Sequence, residues 1–200
     1  MGIEEKLTTK KQTAALQRII DREASHIEWE KQNQTEGDPA VEKTAGVHPS
    51  YDRHIVTDGC VAVIFHEKPE NLPEAERLNR LFDTIQNDID GYDHFLALTV
   101  TAAHISEWKK QAKPWKAGKT HDTGAIPVKF TAQKPDGGTV KGSYDPRYLL
   151  DAVEAIGPGA MIYIGKYSEY SPFCSLLVYP KNWMEDSNHA VGYVLPLRIL

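Results

Sequence analysis

Residues 54–65 constrain this chain more than any other stretch. Ile55-Val56-Thr57 and Val61-Ala62-Val63-Ile64-Phe65 flank Asp58-Gly59, and Asp-Gly supplies the positive φ values that a two-residue hairpin turn needs. A strand with one wet face alternates apolar and polar side chains. The second strand is apolar at every position, so the hairpin must be covered on both sides.

The covering elements are legible as helices. Residues 8–22 predict one, with Thr8 or Thr9 as cap and Ala15, Leu16, Ile19 and Ile20 at helical spacing. Lys10, Lys11, Arg18 and Arg22 fall mostly off that stripe. From about 30 to 50 the chain is polar, with Gly37, Pro39, Gly46 and Pro49, and reads as a long loop with room for one short strand. A second helix is expected over 73–87. Pro73 lies in its first turn, Glu74 and Glu76 at its positive end, and Leu78, Leu81, Phe82 and Ile85 on one face.

Residues 94–100 predict a strand leading into a helix over 101–112, whose inward stripe is Ile105, Trp108 and Ala112, with Pro114 just beyond. Strands over 126–132 and 139–143 flank the turn Pro135-Asp136-Gly137-Gly138. The helix over 146–156 is the best punctuated: Asp145 caps it, Pro146 takes its first position and Gly157 its left-handed end. Leu149, Leu150, Val153 and Ile156 face inward, leaving Arg147, Asp151 and Glu154 outward. Strands over 161–164, 173–179 and 190–199 close the chain. Helix, hairpin and helix thus occur twice, which divides the chain into an N-terminal half, 1–98, and a C-terminal half, 99–200. No sequence repeat accompanies that division, so the duplication is one of topology.

Several function classes are disfavoured. Cys60 and Cys174 are far apart in apolar surroundings, which argues for buried inert thiols and against a disulfide framework or thiolate zinc site. The first residues, MGIEEKLTTKK, lack the apolar core of a secretory signal, and no apolar run approaches a membrane span; a cytoplasmic protein is expected. Gly118-Lys119-Thr120 lacks the first glycine of a phosphate-binding loop, since Lys113 stands there. His48 with His54, or His94 with His104, would have to meet in space to bind a metal, and Asp88, Asp90 and Asp93 lack the rest of a calcium loop. Ser143 and Ser171 have no nucleophile-elbow context. No catalytic residue, metal site or cofactor is expected, so the chain reads as a non-enzyme.

Charge leaves one positive signal. The formal net charge is -5, so nucleic acid would have to be met by a local basic face. Lys109, Lys110, Lys113, Lys116 and Lys119 form a run without an intervening acid, interleaved with Trp108 and Trp115. Such lysines touch phosphates without reading sequence, or else form a solvated helix face and a basic loop. Lys10, Lys11, Arg18 and Arg22 carry the same two readings. The helix over 146–156, with its acids, works against a duplex beside it.

Three separated pieces resemble the last domain of the bacterial DNA polymerase III beta sliding clamp. They are Gly142-Ser143-Tyr144-Asp145-Pro146-Arg147-Tyr148-Leu149-Leu150-Asp151-Ala152, then Ser171-Pro172-Phe173, then Tyr193-Val194-Leu195-Pro196-Leu197-Arg198, in the family's order. Thr57-Asp58-Gly59 and Leu72-Pro73 resemble the family's first hairpin and following helix, though Cys60 and Val61 replace its histidine and arginine. The resemblance implies an α+β, DNA-clamp-like fold with helices packed on one face of curved antiparallel sheets. It implies a DNA-associated processivity or scaffold factor of phage or mobile-element origin, forming a homo-oligomeric ring on double-stranded DNA. Lys10, Lys11, Arg18, Arg22, Lys109, Lys110, Lys113 and Lys116 would then meet DNA. Pro172, Leu195, Pro196, Leu197 and Arg198 would form a groove for clamp-motif peptides of polymerases or repair proteins. The alternative is a protein-interaction module that keeps fold and groove without encircling DNA.

Overall fold

The computed structural model describes residues 10–35, 42–91, 93–112, 126–165, 175–185 and 188–196. Among the described residues four helices, α1 (Lys10–Gln32), α2 (Asn79–Gly91), α3 (Ala102–Gln111) and α4 (Pro146–Ile156), alternate with nine strands. These are β1 (His48–Ser50), β2 (Arg53–Thr57), β3 (Val61–Phe65), β4 (His94–Thr99), β5 (Val128–Gln133), β6 (Thr139–Tyr144), β7 (Met161–Gly165), β8 (Leu176–Tyr179) and β9 (Val191–Val194). Seven strands form one sheet in the order β1-β2-β3-β9-β8-β7-β4, and β5-β6 is a separate hairpin. Every named strand pair is antiparallel. The molecule is therefore α+β with antiparallel sheets.

The period-two geometry of a strand explains how an all-apolar β3 is used. Val61, Val63 and Phe65 face a core shared with Ala15, Leu16 and Ile19 of α1 and Leu149, Ala152 and Val153 of α4. Ala62 and Ile64 face the other side, where Ile85 of α2 packs with Leu177 and Tyr193. Each Val, Leu, Ile or Phe side chain among them contributes about 1.5–3 kcal/mol on burial. The expected layer of helices against one sheet face is built from α1 and α4, with α3 beside α4; α2 covers the opposite face. Gly192 lets α4 approach β9 closely: a Cβ there would lie 3.1 Å from the Cβ of Val178 and 3.3 Å from that of Ala152.

The sheet joins the two halves of the chain. β3 pairs with β9 from Val61↔Val194 to Ile64↔Val191, and β4, at the far edge, pairs with β7. Trp108 of α3 is buried and meets Phe130 of β5 edge-on at 5.9 Å, anchoring the small hairpin.

Two element boundaries and one turn differ from the sequence expectation. α1 runs on to Gln32, because Ile27 continues its buried stripe. α2 begins at Asn79, not near Pro73. The segment before it is held by the β1 region instead: Val47 N donates to Pro73 O, Ala75 N to Val47 O and Leu78 N to Pro49 O. Gly46 permits that approach, since a Cβ there would stand 2.6 Å from Pro73 O. In the β2–β3 turn only Gly59 takes positive φ, at 86°. Asp58 acts through its side chain, Oδ1 accepting from Cys60 N at 2.9 Å and Val61 N at 3.0 Å.

Candidate nucleic-acid interface

α1 and α4 cross antiparallel. Gln12 near the start of α1 donates to Ala155 O at the end of α4, at 3.2 Å. Moving along α1, the next side chains to reach across are Arg18 and Arg22, one helical turn apart and so on one face. Arg18 Nε donates to Asp151 Oδ1 at 2.7 Å and its Nη2 to Glu154 Oε2 at 2.6 Å. Arg22 Nη1 donates to Asp151 Oδ2 at 2.6 Å and its Nε to Asp58 Oδ2 at 2.5 Å.

From the other side α3 sends Lys109, whose Nζ lies 2.8 Å from Glu154 Oε1. Glu154 thus holds a cation from α1 on one oxygen and a cation from α3 on the other. Burial alone would raise its pKa, but Lys109 and Arg18 outweigh that and hold the carboxyl below its ordinary value. The arrangement is a strip in which acids of α4 lie between cations of α1 and α3.

This corrects the expectation that Asp151 faces outward. Its side chain is 4% exposed, clamped between two arginines. The physical reason is helix packing: α1 covers the flank of α4 that an isolated helix would show to water. Glu154 is largely covered as well, whereas Lys109 remains 58% exposed.

The other candidate cations are placed differently. Lys10 and Lys11 are exposed at the N-terminus of α1, and no described carboxylate lies within ion-pair distance of them. Lys110 is exposed and only 3.7 Å from the exposed Glu107, a pair worth little in water. Lys113 and Lys116 lie outside the described residues, as does Lys119. Among the groove residues, Leu195 is 42% exposed and donates its N–H to Cys60 O at 3.0 Å, and Pro196 is half-buried. Pro172, Leu197 and Arg198 lie outside the described residues.

At the start of α4, Asp145 Oδ1 accepts from Arg147 N at 2.8 Å, the cap that the sequence predicts. Tyr148 sits between the guanidinium groups of Arg22, 5.0 Å from the ring centroid, and Arg147, at 5.8 Å. Burial pushes the Cys60 thiol above its ordinary value, only partly offset by a hydrogen bond from Tyr148. A protonated thiol is a poor nucleophile, in keeping with an inert cysteine. Cys174 lies outside the described residues.

Among the described residues the histidines and acids weighed as metal ligands do not converge. His48 is bound to Glu23 and to the carbonyl of Glu76, and His54 faces the carbonyl of His66. His104 completes a capping box with Thr101. Asp88 accepts from the hydroxyl of Tyr193, and Asp90 from Gln86. Among the described residues no group of three or more His, Cys, Asp or Glu side chains could hold a metal ion. No helix among them is long and apolar enough to cross a membrane.

Reading the sequence alone missed the partners of the arginines. The available signal was spacing: Arg18 and Arg22 repeat at four residues and Asp151 and Glu154 at three, so two complementary helix faces were legible. What could not be read was that the two helices meet. No protein-family model matches this chain, and no curated protein matches it. Among solved structures, the DNA polymerase sliding clamp from Bacillus subtilis is similar over 91% of this chain and 63% of that one, with 11% identity and a TM-score of 0.42. This chain therefore spans less than two thirds of that clamp's length, and a likeness so distant decides neither family nor function.

Proposed function

We propose that the chain is a cytoplasmic, DNA-associated scaffold of sliding-clamp type, with the α1–α4–α3 layer as the face turned to duplex phosphates. The observation that carries this reading is Glu154, which binds Arg18 and Lys109 together. The two helices singled out as basic in the sequence thus flank α4 in one layer, and Lys10, Lys11, Arg18, Arg22, Lys109 and Lys110 belong to it. The ordered motif pieces at 142–152, 171–173 and 193–198 support the same reading. In it the chain assembles as a homo-oligomer, is of phage or mobile-element origin, and serves processivity by offering Pro172 and Leu195–Arg198 to peptides of polymerases or repair proteins.

Sedimentation combined with duplex-DNA binding at low and moderate salt tests it. The expected result is an oligomer whose affinity for duplex is independent of sequence and falls as salt is raised. A strict monomer with no salt-sensitive affinity for duplex sinks the proposal.

A further inference from the structure

We infer that the basic face is self-neutralised: Asp151, Glu154 and Asp58 occupy Arg18, Arg22 and Lys109 as phosphates would, and these carboxylates limit how strongly the face holds a polyanion. The inference rests on the proposed DNA-facing role of this layer and names what regulates it. Guanidinium groups bind carboxylate and phosphate through the same fork of donors. Arg18 has Nε and Nη2 on carboxylate oxygens, and Arg22 has Nε and Nη1 so placed. The remaining Nη2 of Arg22 is buried and without a partner among the described residues, so it is closed to a phosphate from outside.

Displacement by DNA is unfavourable for a local reason. A phosphate taking Arg18 or Arg22 would strip Asp151, whose side chain is 4% exposed, of one of its two counter-charges. Uncompensated buried charge is among the costliest states a side chain can hold. Glu154 would in addition stand as a fixed negative charge beside the incoming backbone.

The consequence is a specific salt dependence. Each phosphate neutralised by a free cation contributes about -0.9 to the slope of log affinity against log salt. Lys10 and Lys11 have no described carboxylate within ion-pair distance, and Lys110 meets only the exposed Glu107, at 3.7 Å, so with these three cations available the wild-type slope should be about -2.7. Neutralising Asp151 and Glu154 frees Arg18 and Lys109, while Asp58 still holds Arg22, and should take the slope toward about -4.5. Raising salt from about 50 to about 200 mM then costs the wild type about 40-fold in affinity and the freed face about 500-fold.

The test compares wild type, Asp151→Asn/Glu154→Gln, and a charge-matched control, Glu67→Gln/Glu185→Gln, whose glutamates are exposed and outside the helical layer. A random-sequence duplex is titrated at both salt concentrations after thermal melts show each protein folded. The inference expects tighter low-salt binding and a steeper slope for Asp151→Asn/Glu154→Gln alone. Should that variant fail to fold, Glu154→Gln by itself releases Lys109 and should steepen the slope by about 1. Equal affinity and slope in wild type and variant overturns the inference and leaves the DNA-facing role intact. An equal gain in the control also overturns it, since bulk charge would then be the cause. If no folded form binds duplex at low salt, both fail. Binding by the variant but not by wild type supports self-neutralisation and counts against a DNA-associated role for the native chain.

Discussion

Leu149→Ala and Ile85→Ala should each lower the melting temperature by roughly 4–20 °C, and should do so by shifting one shared transition. Leu149 is fully buried and Ile85 nearly so. Truncating a buried leucine or isoleucine to alanine typically costs about 2–5 kcal/mol, from lost transfer energy plus the cavity left behind. In a chain of this size each kcal/mol is worth roughly 2–4 °C.

The two positions make the pair informative. Leu149 belongs to the core between the sheet and α1, Ile85 to the one beneath α2 on the opposite face. They also fall on either side of the 98/99 division. What couples them is the β3–β9 pairing, which carries side chains to both cores from both halves of the chain. Clamp-like halves would then be units of topology inside one cooperative body. Differential scanning calorimetry decides it: two resolved transitions, with each variant moving a different one, would make 1–98 and 99–200 separate folding units.

The parts of this fold that were legible in the sequence are those governed by neighbours along the chain. α4 appeared at 146–156 because a capping aspartate, a proline and a glycine punctuate it, and the structure uses Asp145 and Gly157 as its caps. The alternation Val61/Ala62/Val63 required two cores, and two are present. What escaped was set by contacts across the chain. Pro73, Glu74 and Glu76 form a persuasive helix start, yet the donors of Ala75 and Leu78 are taken by Val47 and Pro49, so the helix begins six residues later. Asp151 and Glu154 were visible as acids, and Arg18 and Arg22 as bases. Periodicity places each on its own helix, but only the antiparallel packing of α1 on α4 turns two charged faces into one ion-pair network.

The His48 clasp should give the protein a stability that declines as pH rises. His48 is fully buried, with Nδ1 2.7 Å from Glu76 O and Nε2 2.8 Å from Glu23 Oε1. A backbone carbonyl and a carboxylate oxygen are both acceptors, so this geometry suits a ring whose two nitrogens both donate, an imidazolium. Glu23 Oε2 also accepts from Gly46 N at 3.1 Å, which ties the 44–49 segment to α1. Glu76 closes the other side, its Oε2 accepting from Thr44 N at 2.9 Å and Thr44 Oγ1 at 2.6 Å.

The sign follows from the two shifts. Burial alone would lower the His48 pKa, but the hydrogen bond and charge of Glu23, helped by the Glu76 carbonyl, raise it above 6.5. Its contribution is therefore complete below 6.5 and is lost as pH climbs through the higher folded value. Glu76 is shifted the other way: burial opposes, but the Thr44 bonds and His48 lower it from 4.5. Its share is complete above 4.5 and lost as pH falls through the folded value. The clasp is at full strength between 4.5 and 6.5.

At about pH 6 His48→Ala should cost roughly 3 kcal/mol, because Glu23 is left largely buried without its partner. Glu23→Gln is the sharper probe. A neutral amide can donate to Nε2 of an uncharged ring, so the fold keeps its hydrogen bond while the raised pKa disappears. Urea unfolding between about pH 6 and about pH 9 should show wild type losing stability relative to Glu23→Gln. Other titrating groups act on both proteins alike and cancel in that difference. Parallel curves across the range would mean that His48 is held as a neutral ring, and that the clasp owes its strength to packing rather than to charge.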